Sequence, residues 1–160
     1  MSSTGANTLP RIVAWLGYGG LLPFIALALA AVGANFFDQD SHWWNAALLA
    51  YGAAILSFVG ALHWGFAMTR LGLNDRQRTA AFVWSVVPAL LAWLALLLLL
   101  GTPRAAAVLL VAGFLTHYWR DAQLARAADL PAWYLPMRLR LTTVACLCLA
   151  APPVAQTLLV

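Results

Sequence analysis

The chain has 160 residues, 64% of them hydrophobic and only 9% charged, with a mean hydropathy of +0.84. A soluble domain carries about 25% charged residues, so this composition cannot supply a water-facing surface, and an integral membrane protein is expected. The formal charge of +4 arises from arginine against aspartate, with neither Lys nor Glu present; the arginines sit at the ends of apolar runs, where topology needs them, and do not form a nucleic-acid surface.

Residues 1–9 are small and polar and are expected to form a disordered tail, leaving 10–160 as a single transmembrane domain. Pro10 suits a first helical turn, and the first span covers about 12–34. Its apolar run exceeds the 7–15 residues of a signal-peptide core, which favours a retained helix. Gly17, Gly19, Gly20 and Pro23 permit close packing and a kink there. A loop at 35–44 follows, with Asp38, Asp40 and His42 and with Trp43-Trp44 as an aromatic anchor. The second span covers about 45–68, and a loop with Arg70, Asp75, Arg76 and Arg78 leads to the third, about 79–100. Gly101-Thr102-Pro103-Arg104 forms a tight turn into a short fourth span, about 105–119. The run Arg120-Asp121-Ala122-Gln123-Leu124 marks its emergence, and Leu130-Pro131 stops it. The fifth span, about 139–160, is broken by Pro152-Pro153, and its two thiols, Cys146 and Cys148, are expected to be buried and inert.

These spans define an all-α membrane protein, a five-transmembrane-helix bundle. Its N-terminal side collects Arg11, Arg70, Arg76, Arg78, Arg120, Arg126, Arg138 and Arg140, against Arg104 alone on the other side. The positive-inside rule then places the N-terminus in the cytoplasm and the C-terminus in the periplasm.

The second span organises the chain. Ala53, Ser57, Ala61 and Gly65 recur every four residues, a small-residue stripe that lets another backbone approach. Gly52, Leu56, Gly60 and His63 form another stripe, which holds an ionisable side chain away from lipid. Folding the second and third spans as a hairpin about Asn74 brings His63 and Trp64 level with Ser85 and Trp84, so Ser85 is the expected partner of the imidazole. The candidate ligand or packing site is therefore Ser57, Gly60, His63, Trp64, Trp84, Ser85 and Trp93. His117 lies near the same end of the fourth span, and two histidines on facing helices suit bis-His haem ligation. The expected helix ends place His117 about 6 Å from the depth of His63, at 1.5 Å per residue, which weakens that arrangement. A second, cytoplasmic polar cluster comprises Arg120, Asp121, Trp133, Tyr134 and Arg138, with Asp121 and Arg138 placed to pair across the neck of one connection. No metal site is expected, and nothing resembles a nucleophile–base set or a phosphate loop, so an enzyme is not expected.

Four motifs in order resemble one family. They are Leu16-Gly17-Tyr18-Gly19-Gly20-Leu21-Leu22-Pro23-Phe24, Tyr51 to Gly65 with its His63-Trp64-Gly65, Val86-Val87-Pro88-Ala89-Leu90-Leu91-Ala92-Trp93, and the set Asp121, Trp133-Tyr134, Arg138, Leu141-Thr142. Together they resemble the uncharacterised bacterial and mitochondrial membrane family that includes transmembrane protein 69. The resemblance implies a multi-span protein of bacterial inner or mitochondrial membranes and supplies no activity. The opening residues lack the arginines of a transit peptide, which favours the bacterial inner membrane. A likeness of size and topology to the five-span translocator-protein family adds a tetrapyrrole to the conceivable ligands, although the ligand-loop motif of that family is missing from 35–44.

The leading expectation is a non-enzymatic accessory protein in the lipid bilayer, meeting a membrane-protein partner or a second copy through the second span. The alternative is a binder of a small molecule (quinone, lipid or tetrapyrrole, haem included) near His63. A small transporter is the weaker alternative, since a lone intramembrane histidine and no internal repeat speak for little coupling chemistry.

Overall fold

Apolar runs of this length in lipid satisfy their backbone hydrogen bonds internally, which dictates helices. The computed structural model describes residues 8–37, 39–70, 72–128 and 130–158. Most of the expected N-terminal tail lies outside the described residues, as do Asp38 and the last two residues of the fifth expected span. The regular elements among the described residues are all helical: α1 Arg11–Gly19, α2 Leu21–Phe36, α3 His42–Thr69, α4 Asp75–Leu99, α5 Pro103–Ala127 and α6 Tyr134–Leu158. Four stretches are long and apolar enough to cross a membrane: α1 with α2, then α3, α4 and α6. The remaining helix, α5, has the same 25 residues as α4, but its C-terminal third is polar.

The helices close a ring. α3 packs against α2, α4, α5 and α6, while α4 meets α5, α5 meets α6, and α6 returns to α2. At one end Leu73, from the α3–α4 connection, packs with Leu124 and Ala128 at the end of α5. Asp40, Arg104 and Gln156 line one surface hollow at the other end. The polarity is inverted relative to a water-soluble bundle: Asp121 is 0% exposed, whereas Leu100 is 86% exposed. Leu29, Phe58, Val108 and Leu147 all project outward, as a lipid-facing surface requires.

Packing within lipid gains little from burying leucine, so it depends on close backbone approach. A Cβ on Gly60 would sit 2.7 Å from Pro88 of α4, one on Gly113 2.7 Å from Leu56, and one on Gly52 3.0 Å from Leu149 of α6. The stripe Gly52/Leu56/Gly60/His63 is buried throughout, so it is the packing face of α3. The expected small-residue stripe is not: Ala53 is buried, Ser57 is partly so, and Ala61 and Gly65 are exposed. Its four-residue spacing drifts about 40° per step on a helix of 3.6 residues per turn, about 120° from Ala53 to Gly65. The step of three from Gly60 to His63 corrects that drift on the other stripe.

The first span breaks at Gly20, and the Tyr51 hydroxyl donates to the Gly20 carbonyl at 2.9 Å. Pro23 then falls in the first turn of α2, where its missing N–H costs little. Four boundaries differ from expectation by three residues or more; α4 begins at Asp75 and not at 79, because the Asn74–Gln77 capping box starts it there. α3 begins at His42, so Trp43 and Trp44 belong to its first turn, with Asp40 accepting from the His42 backbone N–H at 2.8 Å. α5 continues to Ala127 because His117 and Asp121 turn inward instead of leaving the bundle. α6 starts at Tyr134 and runs through Pro152-Pro153 to Leu158, as proline in membrane helices is tolerated where neighbours restore the lost bonds.

Replacing Gly60 with Leu should lower thermal stability in detergent, since overpacking costs about 1–3 kcal/mol. The same change at Ala61 should leave the monomer's melting temperature unmoved. Equal effects at the two positions would show that the face assigned to α3 is wrong.

Candidate functional site

Three helices converge on one carboxylate. Asp121 of α5 is fully buried, and Arg138 of α6 donates from Nε to its Oδ2 at 2.7 Å. The Tyr134 hydroxyl, one turn earlier on α6, donates to Oδ1 at 3.1 Å, and His63 Nε2 of α3 lies 3.0 Å from the same oxygen. His117, one turn before Asp121 on α5, holds its Nε2 3.7 Å from Oδ1, and its ring centroid is 5.0 Å from that of His63. Outside this group, Trp84 of α4 donates from Nε1 to His117 Nδ1 at 3.1 Å, and the Arg120 guanidinium lies over the Trp84 ring, 5.2 Å from its centroid.

The two clusters expected from sequence meet in part: His63 joins Tyr134 and Arg138 on Asp121, and Trp84 reaches them through His117. Asp121 and Arg138 do pair, but in the interior and not at a surface neck. The partner of His63 is Asp121 and not Ser85, whose hydroxyl donates to the Phe82 carbonyl at 2.6 Å. Ser85 and Gly60 remain buried nearby as packing residues. Trp64 and Trp93 are 50% and 60% exposed and belong to the outer surface, while Ser57 is partly buried. Tyr134, expected in the cytoplasmic polar cluster, is a buried hydrogen-bond donor to the carboxylate; Trp133 keeps a half-buried edge position against it, with ring centroids 6.3 Å apart. The depth gap expected between His63 and His117 does not hold, because α5 extends well beyond Trp119.

The hydrogen bonds fix a tautomer. An indole N–H can only donate, so His117 Nδ1 is an acceptor and its proton resides on Nε2. That N–H makes no hydrogen bond to Asp121, whose Oδ1 lies 3.7 Å away. His63, His117 and Asp121 do offer ligand atoms within 4.8 Å of one another. A metal-bound histidine, however, normally donates its other N–H to an acceptor, and here the other nitrogen of His117 faces a donor. For haem, the space between the two imidazoles is taken by the Asp121 carboxylate itself, so the pair does not flank room for a flat macrocycle.

Beside this group lies a cavity of about 440 Å³ between α1–α2, α3 and α6. Its walls are apolar and aromatic, with Phe24, Phe66, Phe114 and Trp133 among them, and Tyr134, Arg138 and Thr142 form its polar side. Arg138 Nη2 and Thr142 Oγ1 are both buried without a hydrogen-bond partner. Thr142 was missed as a site residue, although Tyr134, Arg138 and Thr142 recur every four residues and so share one face of α6.

Residues 9–152 match the family described as Protein of unknown function (DUF3429). Transmembrane protein 69 of Xenopus tropicalis is 35% identical over 137 residues, 85% of this chain and 51% of its own length. The chain thus spans about half the length of that curated relative. No solved structure matches it.

Asp121→Asn should destabilise the protein by about 3–5 kcal/mol, because the buried Arg138 charge loses its counter-charge. Adding Arg138→Gln should recover part of that loss, measured by thermal unfolding in one detergent. Additive losses in the double variant would show that the two charges do not meet.

Proposed function

The chain belongs to the DUF3429 family, and from that footing we propose that it is an integral membrane protein that binds a small, mainly apolar molecule and catalyses no reaction on it. The observation that supports this reading is the cavity lined on its polar side by Tyr134, Arg138 and Thr142, with Arg138 Nη2 and Thr142 Oγ1 buried and without a hydrogen-bond partner among the described residues. Buried polar groups are nearly always partnered, and a ligand oxygen is the partner such a cavity admits. Its volume falls in the range of about 300–1,000 Å³ common to small-molecule pockets. The accessory-protein reading draws on a different feature: Ala61 and Gly65, exposed beside Phe58 and Trp64, leave a smooth strip of α3 open to a partner.

The proposal includes five spans in the bacterial inner membrane, with α5 as the fourth. His117 and Asp121 face the bundle, and Val108 and Leu115 are exposed on its outer side. The arginine-rich end is then cytoplasmic.

Organic extraction of gently purified protein, followed by mass spectrometry, should yield a co-purifying small molecule near one equivalent. Leu141→Trp, which fills the cavity from α6, should fold normally and lose that molecule. Extracts with no such molecule, or with the same molecule retained in the variant, would favour the accessory reading.

Topology is tested separately. Reporter fusions after Asp75 and Arg126 should report cytoplasm, and fusions after Asp40 and Val160 periplasm. If the Asp75 and Val160 fusions report the same side, the span count is wrong.

A further inference from the structure

Resting on the binding reading above, we infer that the ligand's head is a flat, uncharged ring bearing a carbonyl oxygen, as in a quinone, and not an anionic headgroup. The charges around the polar side of the cavity carry the argument. Arg138 is 7% exposed, and its charge is matched by the buried Asp121 at 2.7 Å. The Tyr134 hydroxyl and the His63 imidazole complete the surroundings of that carboxylate. What lacks a partner beside the cavity, among the described residues, is one N–H edge of a guanidinium already paired, together with the buried hydroxyl of Thr142, a residue 3% exposed. A carboxylate or phosphate placed there would be a second negative charge facing one buried cation, and desolvating it without its own counter-charge is costly. A neutral carbonyl needs only donors, and these two atoms are donors. The other cation of the wall, Arg70, lies over the Phe66 ring, 5.9 Å from its centroid, and is half-buried at the loop end.

The walls select the shape of the head. Phe66 meets Tyr134 edge-to-face with centroids 5.7 Å apart, and Phe24 meets Phe114 at 6.2 Å in the same manner. Aromatic side chains of this kind pack favourably on a planar π-system, whereas a branched ester head gains no such contact. A prenyl or alkyl tail would continue along the aliphatic wall of Leu21, Ile55 and Leu62.

The test uses the full chain, delipidated in mild detergent, with decylubiquinone and palmitate as probes and titration calorimetry with thermal unfolding as readouts. Decylubiquinone should bind and raise the melting temperature, and palmitate should neither bind nor compete. Thr142→Val removes a hydroxyl that has no partner in the free protein, so it should melt at or above the wild-type temperature. It should bind decylubiquinone roughly tenfold more weakly, the loss of one buried hydrogen bond. Asp121→Asn with Arg138→Gln removes both charges together, and it should fold and weaken quinone binding further. Palmitate binding in preference to decylubiquinone would overturn the inference while leaving the binding reading standing. Wild-type quinone affinity in both variants would overturn it as well, since the head would then lie elsewhere. No binding of either probe, joined to extracts without a co-purifying molecule, would remove both readings.

Discussion

An aspartate with no exposed surface, inside a bundle whose outside is leucine, valine and tryptophan, is the constraint from which the rest of the structure follows. A buried carboxylate is tolerable only with a counter-charge and with hydrogen bonds to its remaining lone pairs. Asp121 takes the charge from α6 through Arg138, a hydroxyl from the same helix through Tyr134, and an imidazole from α3 through His63. Three helices are thereby held in one rotational setting. In lipid that matters more than in water, because apolar side chains are indifferent to whether they face a neighbour or an acyl chain. Small residues then allow the approach that the polar group requires: Gly60 against Pro88 and Gly113 against Leu56 bring α3 close to α4 and α5.

The same group decides what chemistry its surroundings can host. Two histidines and a carboxylate within reach of one another look like the start of a metal site, but the donor from Trp84 commits His117 to the opposite tautomer. Arg138, in turn, uses Nε on Asp121, and its Nη2 is buried without a partner beside the cavity. The pair is electrically closed and still unsatisfied in hydrogen bonds. That combination, more than the volume beside it, distinguishes this cavity from a packing defect, since an empty apolar void asks for nothing.

Much of the architecture was legible in sequence because it rests on local quantities. Lengths of apolar runs and the glycines at the α1–α2 break are readable within a few residues, whereas the Asn74–Gln77 capping box that starts α4 at Asp75 went unread, so the third span was expected only from 79. The site was only half legible, for a specific reason. Arg120, Asp121 and Gln123 in a row look like a chain leaving the membrane, and that pattern cut α5 at Trp119. Whether a charge exits or turns inward depends on a partner elsewhere in the chain; His63 is 58 residues from Asp121. The α3 stripes failed and succeeded on geometry. A run of small residues every four positions winds off its face, and the buried stripe keeps to one side only through the three-residue step at His63. The four-residue recurrence of Tyr134, Arg138 and Thr142 was present throughout and carried the site on α6.

Depth explains why the polar group stands where it does. His63 and Asp121 each lie six residues from the end of their helix, Thr69 and Ala127 respectively, or about 9 Å along the axis. Arg138 is one turn into α6 from Tyr134. All three are therefore within the outer part of the bundle at the arginine-rich end, where the penalty for a charge is below its value at the bilayer centre. The cavity runs from that end inward past Thr142 and Ala145, so its polar side is shallow and its apolar walls reach deeper. An amphiphile already oriented in that leaflet would present its head and tail in the same order, and would enter without turning over.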